Sequence, residues 1–135
     1  MTTLRSYVCD RWVAGNGRPA VLVNPSTEEP VAEASSEGVD FGAALAHARD
    51  VGGARLRAMT FEERGAMLKG FGQALHAKRD ELIDLAMVNG GNTRSDAKFD
   101  IDGAIGTLMH YAGVGQSLGK QRWLLDGPSI GFGNS

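Results

Sequence analysis

The chain is poor in the residues that most often announce chemistry. It has one cysteine, Cys9, in 135 residues, which excludes an internal disulfide and fits a reducing, cytoplasmic setting. Its three histidines, His47, His76 and His110, are scattered. None pairs with another at i, i+4 and no His-Glu-x-x-His occurs, so no metal centre is expected. Lys and Arg total 14 against 16 Asp and Glu, a net charge of −2, and there is no basic run, which argues against a nucleic-acid partner. Apolar runs fall far short of the roughly 20 residues of a membrane span, and residues 1–10 lack the apolar stretch of a secretory signal. What is present is 42% apolar and 22% charged residues, the balance of a soluble globular chain. At this length one domain is the ceiling, with a buried core possible. Glycine is abundant, 19 residues, about twice the usual share of roughly 7%, and much of it falls where helices are predicted.

Residues 6–38 read as β. Tyr7, Val8, Trp12 and Val13 lead into Gly15-Asn16-Gly17, which predicts a hairpin turn. Val21 to Val23, a turn over residues 24–29 and a strand over residues 31–34 complete a small meander. Helices follow. Asp40 caps one whose face is Phe41, Leu45, Ala48 and Val51, predicted to stop at Gly52-Gly53. Thr60 and Glu63 form a capping box, opening a stripe through Leu68, Phe71, Leu75, Leu82 and Leu85. A break near residues 78–80 divides that stripe, and Gly90-Gly91 ends it. The last helix spans residues 99–120, opened by Asp100 and Asp102 at the positive end of its dipole, with Ile101, Ile105, Leu108 and Tyr111 on one buried face. Gly103, Gly106 and Gly113 weaken it, so close packing or access to a ligand is expected to justify them. A short strand at residues 123–125 and a loop finish the chain. No β-α-β crossover is visible, so no parallel sheet is expected within it.

The fold class is thus an α/β fragment: an N-terminal β-hairpin, three or four helices and a short strand. Its parts are a hairpin or meander over residues 1–39, a helical segment over 40–120, and a strand and loop over 121–135.

Each candidate group has a plain structural alternative. Cys9 lies in an alternating, extended stretch beside Asp10, where a strand residue is the simpler reading than a nucleophile. Asp100 and Asp102 are two apart and point to different helix faces, so a helix N-terminal role explains them better than a carboxylate pair. Residues 131–135 begin like a glycine-rich phosphate loop but lack the third glycine and the following helix. Trp12, Phe61, Phe71, Tyr111 and Trp123 suit core or interface anchors rather than a binding cage. No catalytic, cofactor-binding or metal-ligating residue emerges.

The late helix, Asp100-x-Asp102 followed by an apolar run, Tyr111-Ala112-Gly113 and a closing Gly119-Lys120, resembles the late N-terminal helix of aldehyde dehydrogenases. It is most similar there to the semialdehyde dehydrogenases of bacterial phenylacetyl-CoA and benzoyl-CoA ring cleavage. Residues 36–40, 56–64, 66–69 and 92–96 resemble the same branch. Arg11-Trp12 with Asn24-Pro25 is shared more widely, and the likeness covers about residues 4–125.

The resemblance implies that residues 6–34 and 121–126 join an oligomerisation sheet and that residues 40–118 flank an NAD(P) domain. It also implies oxidation of a CoA-linked semialdehyde to the acid in aromatic-acid catabolism, with NADP or NAD as acceptor, in a homo-oligomer. The family's nucleophile, general base, oxyanion-hole asparagine and coenzyme turn fall beyond residue 135. This segment is therefore expected to be a truncated N-terminal portion, to bind no cofactor, to be inactive alone, and to have the remainder of the enzyme as its partner. Gly103 and Thr107 match positions bordering the family's substrate tunnel, where a glycine widens access; helix packing is the other reading of Gly103. A contrasting expectation is a free-standing helical protein that dimerises through its hairpin.

Overall fold

The computed structural model describes residues 1–124. Five short strands, β1 (Thr2–Thr3), β2 (Ser6–Val8), β3 (Arg11–Val13), β4 (Ala20–Val23) and β5 (Pro30–Ala34), precede the helices. β2 and β3 form an antiparallel hairpin that pairs Tyr7 with Trp12 and Val8 with Arg11. Its two-residue loop is Cys9-Asp10, both at positive φ (50° and 60°), the backbone that a tight hairpin requires.

The turn is therefore not at Gly15-Asn16-Gly17. That segment instead runs against residues 35–38: Asn16 N donates to Glu37 O at 3.0 Å, and a Cβ on Gly15 would lie 2.3 Å from Ser35 O. These glycines serve close backbone approach. Cys9 accordingly sits in a left-handed turn and not in an extended strand.

β5 is the centre of a second sheet, ordered β1-β5-β4. β4 runs antiparallel to it, with a register shift at Leu22/Val23. β1 pairs in parallel, Thr2 with Ala32 and Thr3 with Glu33. A parallel pair thus exists without a β-α-β unit, because the hairpin and β4 together supply the crossover.

The helices are α1 (Phe41–His47), a π-helical turn (Ala48–Gly52), α2 (Gly53–Ala58), α3 (Phe61–Ala77), α4 (Arg79–Gly90) and α5 (Arg94–Leu118). Asp40 caps α1 by accepting from Ala43 N. The predicted stop at Gly52-Gly53 is absent. Both glycines stay right-handed helical, the extra residue is absorbed in the π turn, and the helix ends at Met59, which is extended. The capping box at Thr60 and Glu63 is complete, and the break falls at Lys78, as the sequence implies. Gly91 ends α4 at φ 68° and packs on the β4–β5 turn, where a Cβ would approach Pro25 to 2.8 Å.

α5 begins five residues earlier than periodicity implies. Thr93 is its N-cap, accepting from Asp96 N; Arg94, Ser95 and Asp96 are exposed, and the one buried residue of the first turn, Ala97, is a small side chain that leaves only a weak apolar mark. Asp100 and Asp102 therefore lie inside the helix, away from its positive end. Residues 121–124 form no strand; Leu125 and the loop after it lie outside the described residues.

The core is small. Ile83 (1% exposed), Ala97, Ala112, Ile105 and Ala32 are buried, together with Gly65, Gly72 and Gly115 where α3 crosses α5. Tyr111, Phe71 and Leu85, expected on buried faces, are exposed instead. The closest contacts of this crossing are glycine to backbone: a Cβ on Gly115 would lie 2.7 Å from Phe61 O.

Candidate functional site

The outer face of α5 carries the residues singled out for substrate access. A Cβ built on Gly103 meets nothing within 4 Å, and the same holds at Gly106 and Gly113. Helix packing among the described residues therefore does not explain these glycines; they lie on open surface there. Thr107, one turn on, donates its hydroxyl to Gly103 O at 2.9 Å, so its polar group is spent on the helix and its methyl is left to face outward. A shallow depression of about 420 Å³ beside Gly103 is lined by Ser95, Lys98, Phe99 and Asp102. Phe99 at its rim is 80% exposed.

Asp102 is engaged by Arg79 from the start of α4, whose Nε and Nη2 donate to its two carboxylate oxygens at 2.5 and 2.8 Å. Those bonds hold the Asp102 carboxyl below the usual aspartate range, helped by the nearby charges of Lys98 and His76, while partial burial works the other way. Asp102 is thus an ionised structural anchor and not a free base. Asp100 sits apart, within 3.4 Å of Asn92 Nδ2. Sequence reasoning assigned Asp102 to the helix dipole and missed Arg79. Nothing local marks a pair 23 positions apart.

The histidines remain dispersed. His76 lines an apolar depression with Gly72, Gln73, Ala77, Ile105 and Met109, and His110 meets the edge of Tyr111. His47 Nε2 lies 3.5 Å from Asp10 Oδ2, and both share a small depression with Cys9, a grouping the sequence did not reveal. Among the described residues, no three of His, Cys, Asp or Glu converge as a metal site.

A dinucleotide needs a cradle of free backbone N–H groups. At three helix starts a side chain caps one N–H, whereas the start of α4 at Lys78 has no side-chain cap. Asp40 takes Ala43 N, Thr60 takes Glu63 N and Thr93 takes Asp96 N, while Phe61 N and Glu62 N donate to Gln121 O and Gly119 O. The glycines at 131 and 133 lie outside the described residues. No helix of the described residues is long and apolar enough to cross a membrane.

The chain has clear relatives. A 3,4-dehydroadipyl-CoA semialdehyde dehydrogenase of Aromatoleum evansii is 44% identical over 127 residues, which are 94% of this chain and 25% of that protein. An aldehyde dehydrogenase of Emericella nidulans is 29% identical over 119 residues, 85% of this chain and 24% of its own length. Among solved structures, a NAD-dependent benzaldehyde dehydrogenase from Corynebacterium glutamicum superposes with a TM-score of 0.74. It is 24% identical, and the match covers 83% of this chain and 25% of that one. A betaine aldehyde dehydrogenase from Staphylococcus aureus gives 0.72 at 23% identity, over 82% and 23%. These two establish a shared fold. The chain spans about a quarter of the length of the relatives it matches. The profile of the aldehyde dehydrogenase family runs across residues 12–129, from the end of β3 through the α3–α5 crossing and the open face of α5, and the chain belongs to that family.

Proposed function

We propose that this segment is the N-terminal portion of an NAD(P)-dependent aldehyde dehydrogenase that oxidises a CoA-linked semialdehyde to the acid in aromatic-acid catabolism. The observation that carries the reading is the 44% identity over 94% of the chain to a 3,4-dehydroadipyl-CoA semialdehyde dehydrogenase. In this reading the segment is inactive alone. Its single thiol, Cys9, sits in a hairpin turn.

Residues 1–39 then serve an oligomerisation sheet in a homo-oligomer, and residues 40–120 flank the coenzyme domain. Gly103 and Thr107 form one edge of the substrate tunnel. The open space at the Gly103 Cβ position and the Thr107 hydroxyl bonded back to the helix support a wall with little side-chain bulk at these two positions, suited to a bulky acyl-CoA aldehyde.

The test compares the 135-residue chain with the protein from the longer reading frame this proposal implies, each assayed for NAD(P)+ reduction by a CoA-linked semialdehyde and by a short free aldehyde. Activity is expected in the long protein only, with a preference for the CoA-linked substrate. In that protein Gly103→Leu should lower kcat/KM for the CoA-linked aldehyde tenfold or more and leave the short aldehyde within about twofold, since one added side chain in a pocket is worth about 1–3 kcal/mol. An unchanged preference overturns the tunnel edge. A long protein that oxidises only free aldehydes overturns the substrate class.

A further inference from the structure

The start of α3 and the segment leaving α5 are fastened to each other by bonds that span more than fifty residues. Phe61 N donates to Gln121 O at 2.7 Å and Glu62 N to Gly119 O at 2.9 Å. Gln116 Nε2 reaches Glu62 O at 3.3 Å. Arg64 then extends one step further along the chain, its Nη2 donating to Arg122 O at 2.6 Å while its Nε lies 3.4 Å from Thr60 O. The guanidinium is stacked over the Phe61 ring at 4.4 Å. Beneath it Gly65 and Gly115 bring the two helix backbones together, and Gly119, at φ 67°, turns the chain across the N-terminus of α3.

We infer that Arg64 is a positioning residue, a latch that fixes the direction in which the polypeptide leaves α5. Its catalytic consequence rests on the proposed function, in which the catalytic parts lie downstream of this segment and α5 supplies the tunnel edge at Gly103. Arginine suits the task because its planar fork donates in two directions while its face lies on an aromatic ring; lysine cannot do both. The two backbone bonds alone hold residues 119 and 121. Arg64 extends the hold to residue 122, immediately before the exposed Trp123 and Leu124. Any rotation of the exit segment would shift the downstream chain relative to the Gly103 wall, and a displacement of about 1 Å can cost on the order of a hundredfold in rate.

The experiment uses the long protein and three variants, Arg64→Ala, Arg64→Lys and Thr60→Ala. Thr60→Ala removes the side chain of the capping box and weakens α3, but leaves Arg64 and the Thr60 carbonyl in place. Two quantities are read: amide exchange of Phe61 and Glu62, whose N–H groups donate across the junction, and the ratio of kcat/KM for the CoA-linked over the short aldehyde. Arg64→Ala is expected to speed exchange at both amides and to lower the ratio about tenfold or more. Arg64→Lys should fall between it and the parent, and stands in for it if the alanine variant does not fold. Thr60→Ala should lower Tm without moving the ratio.

The latch is overturned if the Arg64 variants match the parent in both quantities, or if Thr60→Ala shifts both as far as Arg64→Ala does. A parent enzyme without activity on any CoA-linked aldehyde overturns the proposed function, and the exchange comparison still decides for or against the latch.

Discussion

Glycines of two kinds sit on the long helices, and a single methyl group separates them. At Gly115 an added Cβ would press within 2.7 Å of Phe61 O and 2.8 Å of the Gly65 Cα. These are backbone atoms that cannot swing aside, so Gly115→Ala should destabilise the chain by about 1–3 kcal/mol through overpacking. At Gly113, two residues earlier, the same methyl meets nothing within 4 Å. There the helix propensity of alanine decides, and Gly113→Ala should stabilise by up to about 1 kcal/mol. Urea denaturation of the two variants at low protein concentration checks the opposite signs. Sequence singled out Gly103, Gly106 and Gly113 because they interrupt an amphipathic helix. It missed Gly65, Gly72 and Gly115, because close approach of two backbones depends on which distant helix crosses at that point, and local periodicity carries no record of that.

At the scale of elements, side-chain chemistry with a fixed offset was legible and long-range pairing was not. The Thr60–Glu63 capping box and the Gly91 stop are written in three or four consecutive residues, and both form as read. The hairpin turn was misplaced because Gly15-Asn16-Gly17 carries the stronger turn chemistry while Cys9-Asp10 adopts the positive-φ backbone. The start of α5 is obscure in the sequence because its first three residues are polar and exposed and Ala97 is its first buried side chain. The Arg79–Asp102 bond, which ties α4 to α5, has no local mark at all. It leads to a pH dependence. Asp102 is held below its ordinary range in the folded chain, chiefly by Arg79. Its stabilising contribution is therefore present above the unfolded aspartate value of about 3.9 and is lost as pH falls through the depressed folded value. Asp102→Asn should lower Tm by a few degrees near neutrality, and the gap from the parent should close as pH falls below the ordinary aspartate range. Glu63, held low mainly by its bonds to Thr60, weakens parent and variant alike in that window, so the comparison is made between the two at each pH. A gap that persists undiminished in acid would show that the asparagine acts through packing instead.

At the scale of the whole molecule, surface area decides how the chain behaves in solution. Its accessible surface is 10129 Å², whereas a compact monomer of 14.3 kDa exposes about 6,800 Å². Large apolar side chains stand on that surface: Phe99, Phe41, Phe71, Trp12 and Leu45 are each more than 60% exposed. These faces come from several elements, so they are not one patch beside a single partner groove. The edge strands β1 and β4 add unpaired backbone to the same surface. Exposed apolar faces and free edges drive self-association, while the net charge of −2 supplies little repulsion to oppose it. The 135-residue chain alone should therefore migrate as a concentration-dependent mixture larger than 14.3 kDa in size-exclusion chromatography with light scattering. It should also bind an apolar dye more strongly than the longer protein does per mole. A free-standing dimer would behave otherwise, giving one sharp species of fixed mass and a cooperative melt. That result would mean that the open faces of α1, α3 and α5 are covered by a second copy of this chain, and the place of the segment in a larger dehydrogenase would fall with it.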